Sequence, residues 1–242
     1  IISMLERTSR SRLLTSILGG LYSSPELPST KFSLDFPNPL GVAAGMDKNG
    51  AAVPAWQSIG YGFSEIGGVT LHEQPGNPKP RMFRVSAEKA LVNRMGFNNI
   101  GAHALHDRLK NWKDRGLWPE SPVGINLGKS KITKLEDAPK DYSGSLEILW
   151  KHADFFVINV SSPNTLGLRE LQQSEHLDSI LSQCQKINKD QSKKEGKDMR
   201  PILVKIAPEL DDNYLGKIIK LIKKHRISGI VATNTTIERP KT

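Results

Sequence analysis

The chain has 242 residues with a formal net charge of +9, 37% hydrophobic residues and one cysteine. That length suits one large α/β domain able to bury a real core, while the lone Cys184 excludes an internal disulfide framework and a cysteine-based metal cluster. The six histidines lack any spacing of the His-Glu-x-x-His kind, so no metal site is expected.

Residues 1–22 open the chain with Leu13, Leu14, Ile17, Leu18 and Leu21 at helical spacing, behind Arg7, Arg10 and Arg12. This is the pattern of a short basic amphipathic helix, which packs on the protein body or lies in a membrane interface; packing is the simpler expectation. No apolar run reaches the ~18 residues that a membrane-spanning helix needs. Strand-like segments follow at Leu40 to Ala44, Phe63 to Ile66, Val123 to Leu127, Phe155 to Val160, Ile202 to Ile206 and Ile230 to Ala232. Helical patterns fill the intervals at Ala51 to Ser58, Ala102 to Arg115, Asp141 to His152, Leu177 to Ile187 and Asp212 to Lys224. Cys184 falls in one of these as an ordinary half-buried thiol, and His103 and His106 share a solvated helical face.

From Lys186 to Arg226, twelve Lys/Arg stand against six Asp/Glu, so much of the positive excess lies in one region. Its stretch 188–198 is mixed in sign and lacks apolar residues, which reads as a solvated loop. No aromatic residues are interleaved there to stack on bases, so nucleic acid is not expected as a partner.

Repeated strand-helix order indicates a parallel sheet, either open or closed into a barrel. No Gly-x-Gly-x-x-Gly follows the first strand, and polar groups appear after nearly every strand instead of at one switch point. A closed barrel brings all strand ends to one rim, so the expected fold is an α/β protein of the (β/α)8 TIM barrel type, with about six of eight strand-helix units present. The expected organisation is an amphipathic segment over residues 1–30 and a partial barrel over 31–242. The run 155–165, Phe-Phe-Val-Ile-Asn-Val-Ser-Ser-Pro-Asn-Thr, shows the pattern most sharply: a β-branched core strand breaks into amides and hydroxyls. Lys205 is a lone cation inside an apolar strand, and a buried lysine needs a partner.

Six strings in order carry a resemblance: residues 38–50 (NPLGVAAGMDKNG), 76–81 (GNPKPR), 93–98 (NRMGFN), 124–129 (GINLGK), 159–165 (NVSSPNT) and 233–236 (TNTT). Together they resemble the dihydroorotate dehydrogenases, and most closely the class 2, quinone-linked branch. The resemblance implies an FMN enzyme of pyrimidine synthesis that oxidises dihydroorotate to orotate and passes electrons to ubiquinone or menaquinone. Peripheral association with a bacterial or mitochondrial inner membrane is implied with it.

By that resemblance the catalytic base is Ser162, with Pro163 stiffening the backbone beside it and Thr165 or a water relaying the proton. Substrate binding is implied for Lys48, Asn93, Arg94, Met95, Gly96, Phe97, Asn159, Asn164, Asn234 and Thr235. Flavin binding is implied for Ala43, Ala44, Gly45, Lys48, Gly67, Asn126, Asn159, Lys205 and Thr233. A serine is a poor base, so it serves only when desolvated and oriented. Carboxamides suit orotate because they both donate and accept.

Departures from the family pattern also shape the expectations. Gly68 stands where the family commonly has Ser or Thr touching FMN. The N-terminal part is expected to keep only the second helix of the class 2 helical pair. The chain is expected to be incomplete at both ends, without the last two strand-helix units that carry the flavin phosphate site. Alternatives are the same flavin barrel with fumarate or NAD as acceptor, or a non-catalytic partial barrel acting as an interaction module.

Overall fold

A computed structural model describes residues 1–22, 27–162 and 174–238. Six parallel strands carry the architecture: β3 (Gly41–Val42), β4 (Phe63–Val69), β7 (Val123–Leu127), β8 (Phe155–Asn159), β9 (Ile202–Ile206) and β10 (Gly229–Ala232). They lie side by side in the order β10-β9-β8-β7-β4-β3, so each new strand adds to the same growing edge. Helices α3 (Val53–Ser58), α4 (Gly101–Asp114), α5 (Ala138–Leu149), α6 (Ser174–Glu195) and α7 (Asp212–Lys224) alternate with them. This is the strand-helix repeat of a partial (β/α)8 barrel.

The period-2 alternation of the strands sorts side chains to two faces. Ile66, Ile125, Leu127, Phe156, Ile158 and Val204 face the helices, joining Leu105 and Leu109 of α4, Leu146 of α5 and Leu181 of α6 in one continuous core. The other set, Phe63, Glu65, Gly67, Gly124, Asn126, Phe155, Asn159 and Lys205, lies on the concave face. Register aligns Gly67 with Asn126 and Asn159 with Lys205 across neighbouring strands. At the N-terminal end of this face Phe63 meets Phe155 and Phe36 edge to face, with centroids 6.3 and 5.5 Å apart. Glycine is required opposite these rings: a Cβ on Gly41 would sit 2.1 Å from Phe63, and one on Gly124 2.1 Å from Phe155. Phe36 is delivered by a small antiparallel pair, β1 (Ser29–Lys31) and β2 (Leu34–Phe36).

Several sequence expectations change. Two helices, α1 (Ile2–Ser9) and α2 (Arg12–Leu21), replace the single one read over 1–22, because Ser11 interrupts the run and accepts the Leu14 amide as an N-cap. The segment 188–198 is mostly helix, since α6 continues to Glu195. Its Lys, Gln and Glu are good helix formers, and Asn188 is fully buried, accepting from Trp150 Nε1 at 2.8 Å and donating to the Arg200 carbonyl at 2.8 Å. Cys184 is fully buried instead of half-buried, and burial pushes its thiol pKa well up. His103 is exposed as expected, but His106 is half-buried and held: its Nδ1 lies 3.0 Å from the Ile148 carbonyl and 3.1 Å from His152 Nε2. The hairpins β1–β2 and β5 (Met82–Val85) with β6 (Ala90–Asn93) went unread, being short and half exposed.

Candidate active site

The C-terminal ends of five of the six strands, β3, β4, β8, β9 and β10, converge on a cavity of about 250 Å³. Its walls come from different loops. The turn after β3 gives Ala44, Gly45 and Lys48; β4 gives Gly68; the end of β6 gives Asn93, and the segment after it Met95, Gly96 and Phe97. The strand end after β8 gives Asn159 and Ser162, β9 gives Lys205, and the segment after β10 gives Asn234 and Thr235. Thus twelve of the residues implied from sequence surround one space. Asn164 lies outside the described residues, as do Pro163 and Thr165.

Five others sit off the cavity wall. Arg94 turns away, its guanidinium donating twice to the Pro80 carbonyl at 3.1 and 2.9 Å and closing the base of the β5–β6 hairpin. Asn126 lies beneath the floor, fully buried. Gly67 has φ +118° and a Cβ there would meet the Asn126 carbonyl oxygen at 2.5 Å, so only glycine fits between the strands. Ala43 is exposed before the turn, and the Thr233 hydroxyl donates to the Asn234 carbonyl at 3.0 Å.

An amide relay joins the strands under the cavity. Asn126 Nδ2 donates to Glu65 Oε1 at 2.6 Å, and Asn159 Nδ2 donates to Asn126 Oδ1 at 3.1 Å. Asn159 Oδ1 in turn accepts from the Ser161 amide at 3.2 Å, the Ser161 hydroxyl at 3.0 Å and Asn234 Nδ2 at 3.2 Å. Each amide is fixed by what its other end does, because an amide has distinct donor and acceptor atoms. Tyr142 completes the support by donating to the Asn159 carbonyl at 2.8 Å, and burial raises its phenol pKa so that it stays a donor.

Lys48 is held at the mouth, where its ammonium donates to Asn98 Oδ1 at 2.9 Å. Desolvation, with the nearby Arg81 guanidinium, lowers its pKa to about 8. The preceding residue anchors the loop: the buried Asp47 carboxylate accepts from the Ala51 and Ala52 amides, both at 2.8 Å, and from Trp56 Nε1 at 3.1 Å. Trp112 Nε1 holds the far end of the same loop through the Gly50 carbonyl at 2.9 Å.

Lys205 is 8% exposed, and no hydrogen bond or ion pair of its ammonium is found among the described residues. A buried cation on a cavity wall without a counter-charge is suited to a ligand that carries negative charge. The floor beside it offers backbone and no side chains at Gly45 and Gly68. This combination fits a flat ring that carries or gains negative charge. A Cβ on Gly68 would lie 2.5 Å from the Phe97 ring, so Phe97 fills the space a side chain there would take.

Sequence reasoning missed Glu65, Asn98, Ser161 and Met82. Glu65 carried the same signal as Lys205, a lone charge inside an apolar strand, and could have been found by it. Asn98 and Ser161 had no such signal, since each is one of two like residues in a row.

Comparison with known proteins places these features in a family. The family described as "Dihydroorotate dehydrogenase" matches residues 26–242. A dihydroorotate dehydrogenase (quinone) from Chloroflexus aurantiacus is 47% identical over 240 residues, covering 98% of this chain and 65% of that protein. One from Gloeobacter violaceus is 50% identical over 228 residues, covering 93% of this chain and 60% of the relative. The chain therefore spans less than two thirds of the length of these curated relatives. Among solved structures, an Eimeria tenella enzyme in complex with ferulenol superposes with a TM-score of 0.83 at 35% identity, covering 96% of this chain and 68% of that one.

Proposed function

Because the chain belongs to the dihydroorotate dehydrogenase family, we propose that its protein oxidises dihydroorotate to orotate in pyrimidine synthesis, with FMN as the first electron acceptor and a quinone as the second. The observation that carries this reading is the single cavity that gathers Lys48, Asn93, Asn159, Ser162, Lys205 and Asn234 from five separate loops and strand ends. When bound, FMN supplies the two-electron acceptor that takes hydride from C6 of the substrate.

The remaining work falls to the chain. Ser162, 8% exposed, takes the C5 proton while its own hydroxyl proton passes on to a water; its burial provides the desolvation that a hydroxyl base needs. Asn93, Asn159 and Asn234 meet the ring amides and carbonyls of the substrate, and the relay from Glu65 keeps Asn159 and Asn234 in one orientation. Lys48, with its pKa near 8, is mostly cationic at neutral pH and faces the anionic substrate. Lys205, with the backbone of Gly45 and Gly68, would hold the flavin ring and offset the charge it gains on reduction.

For the second acceptor, α2 leaves Leu13, Ile17 and Leu21 exposed, while Arg12 donates to the Gly116 carbonyl at 2.6 Å and ties the helix to the body. No helix among the described residues is long and apolar enough to cross a membrane. These features support peripheral contact with the membrane that holds the quinone.

The test is turnover of dihydroorotate by the full-length natural protein with quinone, fumarate and NAD as acceptors side by side. Quinone is expected to be preferred. Ser162→Ala is expected to lower kcat by about 10²–10⁴-fold with flavin absorbance unchanged; wild-type turnover in that variant would remove Ser162 from the role of base.

A further inference from the structure

Asn99 lines no part of the cavity, yet its side chain is committed at every position. It is 7% exposed. Its Nδ2 donates to Thr70 Oγ1 at 2.9 Å and to the Phe97 carbonyl at 2.6 Å. Its Oδ1 accepts from the Thr70 amide at 3.2 Å and the Gly101 amide at 2.8 Å. Two donors and two lone pairs are thereby used. One side chain fastens the end of β4, the first turn of α4 and the segment that follows β6.

The held segment is under local strain. Phe97 has φ +50°, a left-handed conformation that an aromatic residue enters at a cost. Its ring lines the cavity and packs over two glycines, since a Cβ on Gly68 or Gly128 would come within 2.5 or 3.0 Å of it. The next residue, Asn98, holds Lys48. Backbone bonds reinforce the clamp: Asn99 and Gln74 exchange two hydrogen bonds of 3.0 Å, and Gln74 Nε2 donates to the Gly96 carbonyl at 2.9 Å. Gln74 Oε1 also accepts the Lys131 amide at 2.9 Å, tying in the loop after β7.

We propose that Asn99 is a positioning residue for the dihydroorotate site, fixing the Phe97 carbonyl and so the placement of the Phe97 ring and of Asn98 on the cavity wall. The proposal rests on the functional reading above. Substitution by alanine frees the Phe97 carbonyl and lets the segment relax from its left-handed turn. A mere loss of stability would do the same at any of Asn99's partners, and this separates the two explanations. Thr70→Val removes another acceptor of the same Nδ2 while leaving the bond to Phe97 in place.

The experiment uses the full-length natural protein with orotate as probe. Asn99→Ala is expected to weaken orotate binding, measured by calorimetry, about tenfold, and Thr70→Val by less than about twofold at a comparable fall in Tm. Equal weakening in both, or none in Asn99→Ala, overturns the proposal. Asn99→Ser serves the same purpose if the alanine variant does not fold. A second readout is independent of the substrate: 4-fluorophenylalanine is incorporated and the Phe97 resonance assigned with Phe97→Leu. That resonance is expected to shift or broaden in Asn99→Ala and not in Thr70→Val. An unchanged resonance in Asn99→Ala overturns the proposal even if the wild-type protein binds no orotate, a result that would count against the functional reading alone.

Discussion

The concave face of the sheet has two ends built by the same strands and from opposite chemistry. At the N-terminal end Phe36, Phe63 and Phe155 pack edge to face against Gly41 and Gly124. Further along the same strands, two residues on in β4 and β7 and four in β8, the inward positions become Glu65, Asn126 and Asn159, joined by hydrogen bonds of 2.6 and 3.1 Å. The lower end is held by shape, where the rings of Phe63 and Phe155 each fill the space of a missing Cβ. The upper end is held by donor and acceptor matching, and its last member, Asn159, lines the cavity. Rigidity below is what lets the amides above be aimed.

This contrast can be broken from either side. Phe155→Ala is expected to cost about 3–5 kcal/mol in chemical denaturation, because it empties the space beside Gly124; adding Gly124→Ala should restore part of the loss, while orotate affinity of the folded variant stays as in wild type. Asn126→Ala is expected to cost less stability, about 1–3 kcal/mol, since it leaves Glu65 and Asn159 each short of a partner. Unlike Phe155→Ala, it should weaken orotate binding as well. If both variants affected binding equally, the division of labour between the two ends would be wrong.

Two pH effects sharpen the picture at smaller scale. Lys48 loses its proton with a pKa of about 8, so affinity for an anionic substrate should fall as pH rises through that value. Lys48→Arg, which stays charged, should move the fall to higher pH in a binding titration. His152 lies away from both ends, and burial together with Lys113 lowers its pKa to about 3. A histidine held neutral in the fold contributes stability above its unfolded pKa near 6.5, and that contribution is lost as pH falls from 6.5 towards 3. Acid titration of stability should therefore flatten across this window in His152→Leu.

Much of this was legible in the sequence wherever one polar residue interrupts an apolar strand. Asn126, Asn159 and Lys205 each do so, and β7, β8 and β9 were readable with boundaries nearly unchanged. The cavity was legible for the same reason, since strand ends that turn polar one after another must share a rim. What escaped depends on tertiary partners. Residues 188–195 look like a solvated loop until Asn188 is seen bonded to Trp150 and Arg200. The clamp by Asn99 is equally silent, because its partners Thr70 and Gly101 come from elements 29 residues before it and two after it. Periodicity reports which face a residue takes, and it carries no information on which distant group a side-chain amide will meet.

The loop that carries Lys48 is pinned at both ends by indole nitrogens, Trp56 on Asp47 and Trp112 on the Gly50 carbonyl. Two of the four tryptophans in the chain are thus wired to one turn at the cavity mouth. Part of the native ultraviolet emission of the protein is consequently an internal gauge of that turn's order, readable without any label, and the difference between Trp56→Phe or Trp112→Phe and wild type isolates it.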